Sequence, residues 1–334
     1  MGFEIRPYPE FGWSISRQRK LDQCARAYLF QYYLGWNGWL NDAPTEARVA
    51  YRLGKLTSLD ALLGQQVDER ARELEAAARA GHELPLAEDL ESRTRAALRQ
   101  SWTTSRSART AFEQRPGRVV MLRSLYMSQD TRPETDRLNE KVGPGMRGLL
   151  ATSHWERLRG RGDQGRVDVP DFASFQWDGV RVFAAPDLIY TRDGILHVID
   201  WKTGREDATQ PAQVLLQMWW ALETFPELAR AAAEGSLEIR GYLEYVTAGA
   251  TQPVDPPTGA LTPGGGAIPV AHDGTVPVTL DDFRDACAGT VRAGVAQMRA
   301  LQADPQRNVP LGKDAFERRE SGLCRTCNFA PVCA

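Results

Sequence analysis

Residues 185–204 read APDLIYTRDGILHVIDWKTG. Alternating apolar residues flank Asp193-Gly194 on both sides. Asp-Gly in that setting is the strongest short-range hairpin signal, because both central residues of a type I′ turn need positive φ. The spacing predicts two antiparallel strands that bring Asp187 and Asp200 to one end of a sheet. Lys202 stands two residues beyond Asp200, so its side chain points to the same face as that acid.

A second Asp-Gly, at 178–179, extends the pattern upstream. Residues 172–204 then read as three strands joined by two tight turns, an antiparallel meander. A helix follows in PAQVLLQMWWALETF (211–225), and a further strand in RGYLEYV (240–246). Residues 247–277 are rich in Pro, Gly and Thr and read as a long loop. TLDDFRDACAGTVRAGVAQMRALQ (279–302) is a last amphipathic helix, with Thr279 as its cap.

Towards the N-terminus, residues 13–40 read as one helix capped by Ser14 or Ser16, its aromatic residues serving as packing. A second helix is expected from Leu56 to Ala80, and helical text continues to about Arg159. The order is helix, three strands, helix, strand, a mixed α/β arrangement with a helical insertion over 75–160. We expect one elaborated domain spanning 1–334, with its central core at 165–247 and a C-terminal helix and cysteine segment at 278–334.

Composition sets outer limits. The 334 residues are 42% hydrophobic and 25% charged, ordinary for a chain with a sizeable core. A net charge of −2 means that any polyanion site has to be a local patch. Candidates are RQRK at 17–20 and Arg157, Arg159, Arg161 and Arg166 of ERLRGRGDQGR; solvated surface is the plainer reading of such runs. No apolar run approaches the ~20 residues needed to cross a bilayer, and no secretory leader is visible. A cytoplasmic protein without membrane contact is expected, so its five cysteines point to metal or redox use before disulfides. No Walker A pattern occurs, so ATP use by this chain is not expected.

Pro186-Asp187, twelve residues, then Asp200-Trp201-Lys202 is a constellation with its own chemistry. Phosphodiester hydrolysis needs an activated water and neutralisation of charge on the transition state. Mg²⁺ or Mn²⁺ serves both needs and prefers oxygen ligands. Asp187 and Asp200 offer carboxylates and Trp201 a backbone carbonyl, while Lys202 can orient the water or stabilise departing charge. The plainer alternative is a surface hairpin with a salt-bridged lysine. It is disfavoured because Asp200 ends an apolar strand, where an unpartnered carboxylate is costly.

These residues resemble the RecB-like branch of the PD-(D/E)XK nucleases, including the CRISPR-associated iron–sulfur exonucleases and the nuclease domain of AddB. In that branch the lysine motif is commonly Asp-Tyr-Lys-Thr-Gly, matched here by Asp200-Trp201-Lys202-Thr203-Gly204. The resemblance implies a restriction-endonuclease-like core: a mixed sheet flanked by helices. It also implies a glutamine on the next helix, which Gln213 supplies, followed four residues later by tyrosine. Here Gln217 stands in the tyrosine's place. The family's metal-binding histidine, in a Gly-x-x-Val-His pattern, is replaced by Asp68 in GQQVD. On this reading Gly64 permits close helix packing, Val67 faces the core and Asp68 projects toward Asp187 and Asp200.

Cys324-x-x-Cys327-x5-Cys333 is a ligand-like cluster one thiolate short of four, and Cys24 or Cys287 has to complete it. Cys287 sits mid-helix at an apolar position and reads as a small buried residue. Cys24, in LDQCARAYLFQYY, resembles the family's first ligand motif, which implies a 4Fe-4S cluster clasping the chain ends. Zinc is the competing occupant.

The implied activity is that of a Mg²⁺- or Mn²⁺-dependent DNA nuclease acting on single strands or ends, with a helicase or a repair or defence partner supplying single strands from duplexes. The alternative from another class is a non-catalytic, cluster-bearing DNA-binding or assembly subunit.

Overall fold

The computed structural model describes residues 5–254 and 280–333. The chain divides into two compact units, one of residues 1–58, 99–131 and 293–334, the other of residues 59–98 and 132–292. The division falls within helices Ala87–Ser107 and Leu280–Arg299 and within the 75–160 segment. The expected cap Thr279 lies outside the described residues.

The first unit joins N-terminal and C-terminal segments. Ser14 caps helix Ile15–Gln23 by accepting a hydrogen bond from the Arg17 N–H at 3.2 Å. The single helix expected over 13–40 is interrupted at Cys24, whose backbone is extended, and resumes as Ala25–Leu29 and a π-helical turn, Phe30–Leu34. That break leaves the Arg26 N–H free to donate to the Glu317 carbonyl at 3.1 Å. Phe30 stacks on Phe329, with centroids 5.5 Å apart, inside an apolar cluster that includes Ala27, Leu53, Phe112 and Met121. The aperiodic C-terminal tail forms short 3-10 turns, Gly322–Thr326 and Ala330–Val332.

The second unit is built on helices α1 (Leu59–Arg79), α2 (Arg132–Ala151) and α3 (His154–Leu158). Leu63, Val67, Leu74 and Ala78 form the buried stripe of α1, at the helical period. Val67, Leu74 and Ala78 share a core with Met146, Leu149, Trp155, Ile199 and Trp201.

Both Asp-Gly pairs make the turns their sequence predicts. Asp178 and Gly179 have φ of 47° and 71°, and Asp193 and Gly194 have 51° and 76°. The expected three-strand meander is corrected to four strands in two sheets. Strand β1 (Ser174–Trp177) pairs with β2 (Val180–Phe183), and β3 (Leu188–Arg192) pairs with β4 (Ile195–Lys202). Pro186 stands at the break, where a residue without an N–H cannot continue a ladder.

Beyond β4 the chain crosses over through α4 (Gln210–Thr224) and returns as β5 (Glu238–Tyr245), parallel to β4. Parallel neighbours require such a crossover. Residues Ala250–Val254, expected within a loop, instead form β6, antiparallel to β5 at the sheet edge. An edge strand tolerates Pro253 because its missing donor need not face a neighbour. The sheet order is β3-β4-β5-β6.

Helix α4 is buried from Val214 through Leu222, as befits a helix apolar on nearly every face. It lies unusually close to β5. A β-carbon on Gly241 would meet Met218 Cε at 2.3 Å and Val214 Cγ1 at 2.4 Å. Gly64, expected to serve close packing, does not, since a β-carbon there would meet nothing within 4 Å.

Candidate functional site

Strand β4 is buried from Leu196 through Trp201, and Asp200 is 1% exposed. Its carboxylate is surrounded by three partners drawn from β4 and α4. Gln213 Nε2 donates to Asp200 Oδ1 at 2.7 Å, and Gln217 Nε2 donates to the same oxygen at 2.9 Å. Lys202 Nζ forms an ion pair with Oδ2 and donates to Gln213 Oε1 at 3.2 Å. Asp200, Gln213 and Lys202 therefore close a ring. Oδ2 is buried and faces the ammonium without an aligned hydrogen-bond donor.

Asp187 precedes β3, opposite the end of β4. Its Oδ2 accepts the Trp201 N–H at 2.8 Å, and its own N–H donates to the Ile199 carbonyl at 3.2 Å. The side chain is thus held by backbone on the strand that carries Asp200. Trp201 is fixed from the other side, its ring stacked on Trp155 at 5.7 Å.

Val67 is fully buried on α1, and Asp68, the next residue, is half-buried. Desolvation raises its carboxyl above the usual range, Arg72 and Lys202 oppose that rise, and Asp200 adds to it. Asp187 is pushed well up by desolvation and by the carboxylates of Asp200 and Asp68, against the pull of the Trp201 N–H and Lys202. Asp187 itself is exposed to solvent. Three acids with Lys202 among them carry an excess of negative charge.

That excess, with Asp200 Oδ2 held only by the Lys202 ammonium among the described residues, suits a hard divalent cation, whose preferred donors are oxygens. Among the described residues, however, no three His, Cys, Asp or Glu side chains lie close enough to hold one ion. Asp200 faces Lys202 and the two glutamines instead.

The model of one family, the PD-(D/E)XK nuclease superfamily, matches residues 12–334. The chain belongs to that superfamily. Membership points to a nuclease with DNA as its substrate, in a superfamily whose members are generally metal-dependent. A comparison with curated proteins found no match. The mixed α/β architecture fits the superfamily's fold. No helix among the described residues is long and apolar enough to cross a membrane.

Gln217, noted in the sequence only as standing in the family tyrosine's place, is a site residue to which the sequence assigned no role. It is fully buried and ties Asp200 to the Ala185 carbonyl at 2.9 Å, while its own Oε1 has no partner among the described residues. The signal was present: a glutamine amid the apolar run VLLQMWW, four residues after Gln213 and so on the same helical face.

The cysteines separate into two groups. Cys24, Cys324, Cys327 and Cys333 all line one cavity of about 570 Å³ in the first unit. Desolvation raises the Cys333 thiol above its usual range, and Cys24 and Cys327 add to the rise. Cys287 is fully buried in the second unit, its Sγ 3.8 Å from the Leu215 carbonyl.

Proposed function

We propose that this chain is a Mg²⁺- or Mn²⁺-dependent deoxyribonuclease that cuts single-stranded DNA or duplex ends as an exonuclease. The observation that carries this reading is the ring of Asp200, Gln213 and Lys202 beside an Asp187 clamped by the Trp201 N–H. A lysine salt-bridged on a surface hairpin would not need two glutamines, one of them fully buried, to hold its acid.

Asp187, Asp200 and Asp68, with the Trp201 carbonyl, would hold the cation, which supplies Lewis acidity and offsets charge on the transition state. For Asp200 Oδ2 to serve, Lys202 Nζ would have to leave it. The ammonium, which also donates to Gln213 Oε1, could orient the attacking water or stabilise the leaving oxygen. Gln213 and Gln217 would hold Asp200 Oδ1 in place.

We further assign a 4Fe-4S cluster to Cys24, Cys324, Cys327 and Cys333. Their common cavity supports this, as does the seclusion of Cys287. The cluster's place among both terminal segments suits a stabilising clasp. Work on duplexes calls for a helicase or a repair or defence partner, in the cytoplasm, because this chain carries no Walker A pattern.

The decisive assay incubates purified protein with end-labelled single- and double-stranded DNA plus Mg²⁺ or Mn²⁺. Asp187→Ala, Asp200→Ala and Lys202→Ala should each abolish metal-dependent cleavage, the triple change being little worse, since members of one catalytic unit are not additive. Wild-type activity in Asp200→Ala would exclude the assignment.

A further inference from the structure

One arginine-rich stretch singled out in the sequence has no part in the acid site. Within 156–166, Gly160, Gly162 and Gly165 take positive φ of 66°, 51° and 69°. The Gly160 N–H donates to the Ala78 carbonyl at 2.8 Å, and the Gly162 N–H to the Arg79 carbonyl at 2.9 Å. The Thr191 N–H donates to the Gly165 carbonyl at 2.8 Å, and a β-carbon on Gly165 would sit 2.1 Å from the Thr191 carbonyl oxygen. The segment is therefore laid directly on β3 and anchored to the end of α1.

This anchoring shapes a cavity of about 370 Å³. Its lining includes Arg157, Arg161 and Arg192 together with Tyr190, Leu228 and Leu237. Arg157 and Arg161 are half-buried, and among the described residues neither has a carboxylate partner. Arg161 Nη1 donates only to Gln164 Oε1 at 3.4 Å, and Arg157 lies against the Tyr190 hydroxyl. Arg192 pairs through Nε with Asp193 Oδ2 at 2.8 Å, but its Nη1 is buried with no hydrogen-bond partner among the described residues. Among the described residues Asp193 is the sole carboxylate in the lining.

Guanidinium cannot shed its proton, so three such groups beside one acid leave net positive charge that suits an anion. Their planar forks match oxyanions, phosphate above all. The cavity has room beyond a phosphate, and its leucines suit the body of an ester. Strand β3 runs five residues from the Asp187 end to Arg192, a separation on the order of 17 Å. The cavity is therefore not the acid site.

We propose that this cavity is a phosphate-ester site, held by Arg157, Arg161 and Arg192. Its ligand is a phosphate of a nucleic-acid strand or of a free nucleotide. The inference stands whether or not the chain cleaves DNA.

The test is calorimetric titration of the full chain in EDTA with inorganic phosphate, thymidine 5′-monophosphate and a single-stranded oligonucleotide. Wild type should bind phosphate esters, and Arg192→Gln should weaken that binding about tenfold or more. Because Arg192 also packs at the hairpin, Arg161→Gln, which gives up only the Gln164 contact, provides a second variant, with thermal melts to verify folding. Arg240→Gln, at an exposed arginine paired with Glu238, should bind as wild type does, so that loss in the other variants is not a general loss of positive charge. Loss of oligonucleotide binding together with mononucleotide binding identifies strand phosphate as the ligand; loss of mononucleotide binding alone identifies a free nucleotide. Unchanged affinity in both arginine variants, or no binding of any probe by wild type, overturns the proposal.

Discussion

The side-chain amide of Gln217 donates to Asp200 Oδ1 and to the Ala185 carbonyl, each at 2.9 Å. One buried group thus ties the strand carrying Asp200 to the segment just before Asp187. Gln217→Leu should cost about 1–3 kcal/mol of stability by taking a donor from the buried Asp200 carboxylate. It should lower kcat more than KM, because Asp200 then keeps only Gln213 on Oδ1. Gln217→Glu should be worse, as it sets a carboxylate against a buried carboxylate. Chemical denaturation and steady-state cleavage together check this, and wild-type kcat in Gln217→Leu would remove Gln217 from the site.

Gly241 controls how close α4 comes to the sheet. A methyl there would press on Met218 and Val214. Gly241→Ala should destabilise by about 1–3 kcal/mol, the usual range for overpacking. It should also lift Gln213 and Gln217 from Asp200, so activity should fall even where the variant remains fully folded. Circular dichroism melts alongside the nuclease assay separate the two effects.

Asp68 shares the electrostatic surroundings of Asp187 and Asp200. Asp68→Ala should weaken Mg²⁺ and Mn²⁺ binding, read as a reduced metal-induced rise in Tm. Asp68→His should restore binding with a preference for Mn²⁺, since imidazole suits transition ions better than Mg²⁺. An unchanged metal response in Asp68→Ala would place this carboxylate outside the metal site.

For the cysteines, anaerobically purified protein should be brown and contain iron and sulfide. Cys24→Ala should lose both and melt at lower temperature, whereas Cys287→Ala should keep its iron. Stoichiometric zinc in a colourless protein would replace the cluster with a zinc clasp.

Acid stability should report His197. The ring is 3% exposed and stacks between Tyr190 and Tyr242, and desolvation, with Arg157 and His154 nearby, pushes it down to about 4. Its folded pKa lies below the unfolded value of about 6.5. Between those values the unfolded chain binds a proton that the folded chain refuses. Stability should therefore be lost as pH falls from about 6.5 to about 4, at up to about 1.4 kcal/mol per pH unit from this group. His197→Phe, which preserves the stack, should flatten that part of the profile in urea titrations across pH.

Much of this site could be read before any coordinates. The Asp-Gly pairs specify their turns locally, and strand alternation then places Asp200 and Lys202 on one face. What escaped depends on contacts distant in sequence. Pro186 divides a meander between two sheets, although nothing nearby says that the chain will change sheets there. Gly64 and Gly241 are indistinguishable as letters, and only the second lies under another element. The TQPV segment has a poor strand composition and becomes a strand because β5 offers it an edge.

The interlocking of the first unit has a consequence for biosynthesis. Phe30 stacks on Phe329, and the Arg26 N–H donates to Glu317, so the early segment meets its partners only after nearly all the intervening chain has been made. At about 5–20 residues per second, residues 59–98 and 132–292 can condense while Ala27, Phe30 and Leu53 still lack their later-made cover. During that interval a nascent apolar face is open to chaperones and to neighbouring polysomes. The cysteine-lined cavity, which needs Cys24 and Cys333 together, is among the last features of the molecule to close.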